Sequence, residues 1–125
     1  MTNKERSVKF FEVVWNQRNE DALTGFVHPD VAATLEGGVL CYGLEEFRAW
    51  YKETLAAMPD LQIEVVDAIE EGPKVAVMWN AAATIGGQIE RAHGISWMLH
   101  RGDKIVEVSD SWNKSAVEAK LAAAV

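Results

Sequence analysis

Two patterns and one boundary predict an α+β fold. Up to Met58 most apolar residues recur at helical spacing, and from Leu61 to Trp112 they alternate with a period of two. Pro59 stands between the two regimes. Turn signals at Gly72-Pro73, Gly86-Gly87 and Arg101-Gly102-Asp103 divide the second region into four strands of an antiparallel meander. Helices segregated from strands define the α+β class. Three N-terminal helices packed in a curved, mainly antiparallel sheet make a cone-shaped α+β barrel with an apolar pocket.

Thr2 and Glu5 have the spacing of a capping box and start the first helix, whose stripe is Val8, Phe11, Val14 and Trp15. Asn16 to Asp21 is polar and turn-like. A short second helix is expected from Asp21 to Val27, stopped by Pro29. Val31 to Cys41 is apolar and β-branched but broken at Gly37-Gly38, which reads as a short strand or hairpin. The third helix runs from Leu44 to Met58, with Glu45 and Glu46 in its first turn and Leu44, Phe47, Tyr51, Leu55 and Met58 on its apolar face. The strands are Leu61–Ile69, Lys74–Ile85, Ile89–His100 and Lys104–Trp112, with Val75, Val77 and Trp79 alternating in the second. A terminal helix is expected over Ser115–Ala124.

The 125 residues suit a single domain, residues 1–125, and 49% hydrophobic content is ample for a core. A net charge of -7 without a Lys/Arg cluster argues against nucleic acid and against an anionic membrane surface. The one cysteine, Cys41, excludes an intrachain disulfide, and the N-terminus lacks the apolar stretch of a signal peptide. The expectation is a cytoplasmic protein. His28, His93 and His100 lie in different elements without ligand spacing, so no metal is expected. Five Trp either fill the core or line a concave apolar site.

The last strand carries the main chemical signal. Side chains alternate across a strand, so Val106, Val108, Asp110 and Trp112 share one face, while Ile105, Glu107, Ser109 and Ser111 form the wetter one. A carboxylate between apolar side chains on an inward face is either neutralised by a partner or kept for chemistry. Unpaired burial costs several kcal/mol or raises the pKa until the proton stays on.

Several segments together resemble a known family. They are Val14-Trp15-Asn16, His28-Pro29-Asp30-Val31, Gly43-Leu44-Glu45-Glu46-Phe47, Met58-Pro59-Asp60-Leu61, Val75-Ala76-Val77-Met78-Trp79 and Gly102-Asp103-Lys104-Ile105-Val106-Glu107. Their order over residues 5 to 113 resembles the SnoaL-like polyketide cyclases of the nuclear transport factor 2-like superfamily. The resemblance implies a cone, a homodimer through the outer face of the sheet, and an Asp base for a cofactor-free intramolecular aldol closure. Asp110 falls at that position. Two departures stand out: Ser109 replaces the family's usual Trp before the Asp, and Thr84-Ile85-Gly86-Gly87 shortens the segment that often carries a His. The steroid-isomerase pattern is not carried over, because its second acid would fall near the apolar Ile95.

On this reading Asp110 is the base, with His93 as its partner, since His93, Ile95, Trp97 and Leu99 share one strand face. Asn16, Tyr42 and Tyr51 are candidate donors to an enolate oxygen, and Trp79, Trp97, Val108 and Trp112 are the candidate apolar wall. The bland alternatives are a capping Asn16, a core Tyr51, a wall-bound or solvated His93, and aromatics that only fill the core. The expected function is a cyclase, isomerase or lyase acting by proton abstraction on a small apolar carbonyl compound, with no cofactor. A non-catalytic small-molecule-binding or dimerisation module is the alternative, with Asp110 paired to Arg48, Arg91 or His93.

Overall fold

A computed structural model describes residues 1–113; the helix expected over Ser115–Ala124 lies outside the described residues. The first helix, α1 (Asn3–Phe10), opens on the expected capping box. Thr2 Oγ1 accepts from the Glu5 amide and Glu5 Oε1 accepts from the Thr2 amide, each at 3.0 Å. It widens into a π-helical stretch, Phe11–Asn16. Widening the helix brings both Phe10-Phe11 and Val14-Trp15 to the buried side, whereas Val8 is only half-buried.

A 3₁₀ turn (Glu20–Ala22) and a four-residue α2 (Leu23–Phe26) replace the expected second helix. That helix ends earlier than anticipated because Val27, β-branched and fully buried, already pairs with Ile105. Pro29 then lies inside β1 (Val27–Leu35), where the register shifts between Val27 and Ala32. A proline has no amide proton to donate, and the irregular stretch needs none from it. Strand β2 (Gly38–Tyr42) returns antiparallel to β1, so Val31–Cys41 is a hairpin. Glu36 and Gly37 turn it with φ of 49° and 82°.

Helix α3 (Gly43–Ala57) buries Phe47 and Tyr51. Four strands follow as an antiparallel meander: β3 (Gln62–Glu71), β4 (Lys74–Ile85), β5 (Gln88–Arg101) and β6 (Lys104–Trp112). The N-terminal hairpin joins them, β1 lying parallel to β6, and the six-stranded sheet has the order β2-β1-β6-β5-β4-β3. The sheet is curved around the helices and does not close. Its concave face and the three helices bury one core, in which Val14, Leu23, Val27, Val31, Val75, Val77 and Met98 are fully enclosed.

One polar pair is sealed beneath α1. Ser7 donates its hydroxyl proton to the Asn3 carbonyl at 2.9 Å, so His100 Nε2, 2.8 Å away, is the donor to Ser7 Oγ. His100 Nδ1 is buried without a partner among the described residues. Burial, then Arg6, lowers the His100 pKa below 6.5, with Glu70 opposing. The stability carried by neutral His100 is therefore present above pH 6.5 and lost as the pH falls through the folded value. Ser7→Ala leaves Nε2–H buried and unpaired, and is expected to lower the unfolding free energy by about 1–3 kcal/mol, read from the urea midpoint.

Candidate functional site

The concave face of the sheet and the helices enclose a cavity of about 110 Å³. That volume is of the order that admits one aromatic ring. Phe11 and Trp15 of the π-helical stretch, Phe47 and Trp50 of α3, and Trp79 and Trp112 of the sheet supply aromatic walls. The rings meet edge to face, as in Trp15–Trp50 (5.5 Å, 72°) and Phe47–Trp50 (5.4 Å, 72°). Small side chains at Ala81, Ala83 and Ala92 leave the room that the rings surround.

Into this apolar space β6 projects Asp110. Val108, Asp110 and Trp112 all line the cavity, as strand parity requires, and Glu107, Ser109 and Ser111 face outward and are exposed. The residue is half-buried, and its carboxyl faces the cavity. Burial raises its pKa from 3.8 to about 6, opposed by a hydrogen bond from Ser96. Ser96 Oγ donates to Asp110 Oδ1 at 2.6 Å. No Lys, Arg or His forms an ion pair with Asp110 among the described residues. Arg48 pairs with Glu20 at 3.3 Å, and His93 lies elsewhere.

Strand β5 has the opposite parity to that expected. Ala92, Gly94, Ser96 and Met98 face the concave side, and His93, Ile95, Trp97 and Leu99 face outward. The cone's inner wall takes small residues here because the aromatic rings from β4 and β6 need the space. His93 is thus exposed, with Nδ1 bonded to Asn80 Oδ1 at 2.7 Å. It does not reach Asp110, and Trp97 is not in the cavity wall.

The candidate donors are also committed elsewhere. Asn16 acts as a strand neighbour at the end of the π-helical stretch. Its Nδ2 donates to the Ile63 carbonyl and its Oδ1 accepts from the Ile63 amide, both at 2.7 Å. Tyr51 is buried and donates to the Val14 carbonyl at 2.7 Å, satisfying a backbone acceptor. Tyr42 is 59% exposed at the start of α3. Thr54, at the rim, donates to the Trp50 carbonyl at 2.8 Å. Cys41 is buried, and burial, then Glu46 and Asp110, pushes its thiol up to about 11, so it stays protonated. Among the described residues no three His, Cys, Asp or Glu side chains gather into a metal-holding group.

Sequence reasoning missed Ser96, the one hydroxyl bonded to Asp110 among the described residues. Its signal was present in the chain as a polar residue amid Trp97, Met98 and Leu99, but was assigned to the wrong face. It also missed Phe11, Phe47 and Trp50 as cavity walls, since helical stripe residues look like ordinary core.

A six-stranded curved sheet holding three helices, with a carboxyl facing an apolar cavity, is the nuclear transport factor 2-like α+β cone. Solved structures with the same fold include a candidate SnoaL-like polyketide cyclase from Jannaschia sp. CCS1. It has 17% identity and a TM-score of 0.88, with coverage of 97% of this chain and 92% of that one. A candidate polyketide cyclase from Acidithiobacillus ferrooxidans has 19% identity and a TM-score of 0.84, with coverage of 98% and 96%. IdmH, a candidate polyketide cyclase from Streptomyces antibioticus, has 19% identity and a TM-score of 0.85, with coverage of 98% and 99%. No curated protein matches the sequence. The SnoaL-like domain model matches residues 8–108, and the chain belongs to that family.

Proposed function

We propose that the chain is a cofactor-independent enzyme of the cyclase or isomerase type, with Asp110 as general base toward a small apolar carbonyl compound. The observation that carries this reading is a carboxyl facing an apolar cavity, held by Ser96 and by no cation among the described residues. A base with a pKa of about 6 is largely ionised at neutral pH yet basic enough to take a proton α to a carbonyl. Asp110 removes that proton, the enolate carbon attacks a second carbonyl or is reprotonated, and the proton on Asp110 returns to the alkoxide or carbon. One group then serves as base and acid, and no proton is gained or lost over the cycle. The wall aromatics exclude water, and their faces suit an uncharged, flat ligand.

The test is α-proton exchange of apolar ketones and diketones in D₂O, followed by NMR. Exchange by the wild-type chain that disappears in Asp110→Asn supports the reading. Exchange that persists in Asp110→Asn sinks it. A binding module is the second reading, favoured by the commitment of Asn16, Tyr51 and Thr54 to backbone carbonyls. Tight binding of such ketones without exchange would establish it.

The outer face of the sheet is proposed as a homodimer interface. Met78 stands opposite Ile95 and Ala76 opposite Trp97, with Ile69 beside Ala76, so an apolar patch runs across β3, β4 and β5. Ile69, Met78 and Ile95 are 72%, 48% and 47% exposed. A contiguous patch of this kind marks an interaction surface. Sedimentation at micromolar concentration is expected to report a dimer that Ile95→Glu converts to monomer; a wild-type monomer would refute the interface.

A further inference from the structure

We propose that Ser96, locked by the Trp79 indole over Gly94, is a positioning residue that selects which oxygen of Asp110 exchanges protons with a ligand. The inference rests on the reading of Asp110 as the base. It starts from the count of protons. A serine hydroxyl has one hydrogen and two lone pairs, and left alone it rotates to suit its surroundings. Trp79 Nε1, which only donates, reaches Ser96 Oγ at 2.9 Å. That occupies a lone pair of Ser96 and leaves the Ser96 hydrogen for Asp110 Oδ1 at 2.6 Å. Ser96 is 2% exposed, so no water competes for either bond. Oδ1 is thereby engaged, whereas Oδ2 makes no hydrogen bond among the described residues and is the oxygen free for a ligand's proton.

Strand register builds this arrangement. Trp79 stands opposite Gly94, Gly94 opposite Trp112, and Ser96 opposite Asp110. Ser96 is two residues beyond Gly94 on the same face, so Trp79 reaches it on the diagonal. Gly94 makes the approach sterically allowed. A Cβ there would lie 2.4 Å and 2.6 Å from the Trp79 ring carbons Cζ2 and Cη2, and 2.7 Å from Trp112 Cβ. Cζ2 lies beside the carbon that bears Nε1, so seating that edge of the ring over Gly94 aims the N–H at Ser96. Three residues on two strands thus orient one carboxyl on a third, without touching the ligand through the hydroxyl itself.

The experiment is a ¹³C NMR titration of the Asp110 carboxyl in the folded protein, which needs no substrate. Ser96→Ala is expected to raise its midpoint by about one pH unit or more, because the ionised form loses a charge-assisted hydrogen bond. Trp79→Phe keeps an aromatic side chain but removes the indole N–H, which frees the hydroxyl to rotate, and is expected to raise the midpoint by a smaller amount. Ser96→Thr, which keeps the hydroxyl, is expected to restore the wild-type midpoint. The same midpoint in wild type, Ser96→Ala and Trp79→Phe overturns the proposal. If Ser96→Ala does not fold, the contrast between Trp79→Phe and Ser96→Thr decides in its place. The base assignment is judged separately by ketone exchange. A chain without exchange that still shows the titration contrast loses the base but keeps the positioning. An active chain whose titration ignores both variants loses the positioning alone.

Discussion

Asp110→Asn is expected to raise the thermal midpoint at about pH 8, by roughly 5–10 °C, and to leave it unchanged near pH 3. The sign follows from linkage. The folded carboxyl titrates at about 6 and its unfolded reference is 3.8. The folded state therefore holds its proton more tightly, and ionisation costs the fold about 3 kcal/mol once the pH exceeds 6. That cost disappears progressively as the pH falls from about 6 to 3.8, below which both states are protonated. Asn has the same shape, is never ionised, and still presents Oδ1 to Ser96. His100, whose pKa burial lowers below 6.5, is present in both proteins and cancels in the comparison. A midpoint at pH 8 lowered by the substitution would mean that Asp110 is a paired structural acid, and would remove the reason to treat it as a base.

The same substitution is expected to cut ketone α-proton exchange by about 10²–10⁴-fold, the usual contribution of a positioned general base. Wild-type exchange should rise with pH through a single ionisation near 6 and then level off, because only the carboxylate accepts a proton. The two effects run in opposite directions: one residue costs stability and supplies rate. Opposite signs distinguish a functional acid from a structural one, whose loss would lower both. Ser7→Ala, on α1, removes a buried partner of His100 at the far end of β5 and should lower stability without altering the pH dependence of exchange.

The SnoaL-like segments and the period-two alternation of the C-terminal half identified the fold and family from the chain alone. The β4 and β6 faces were legible for a physical reason. On β6, Val106, Val108 and Trp112 alternate with Glu107, Ser109 and Ser111, so one register alone hides the apolar set and carries Asp110 inward with it. On β4, Val75, Val77 and Trp79 alternate in the same manner and are all buried.

Strand β5 lacks that asymmetry. Its outward residues Ile95, Trp97 and Leu99 are as apolar as a core face, while its inward residues include Gly94 and Ser96. Read alone, the strand puts His93 and Trp97 in the cavity. Cross-strand pairing places Ser96 opposite Asp110 and Gly94 opposite both Trp79 and Trp112, and so selects the other face. Asn16 and Tyr51 were equally open in sequence, because an amide or a phenol can serve a ligand or a backbone group. Only the packed helices show that Ile63 and Val14 hold them. Periodicity along one strand thus determined that a carboxyl enters the cone. Its neighbours, and the oxygen left free on it, depend on contacts between residues far apart in the chain, which only the tertiary structure decides.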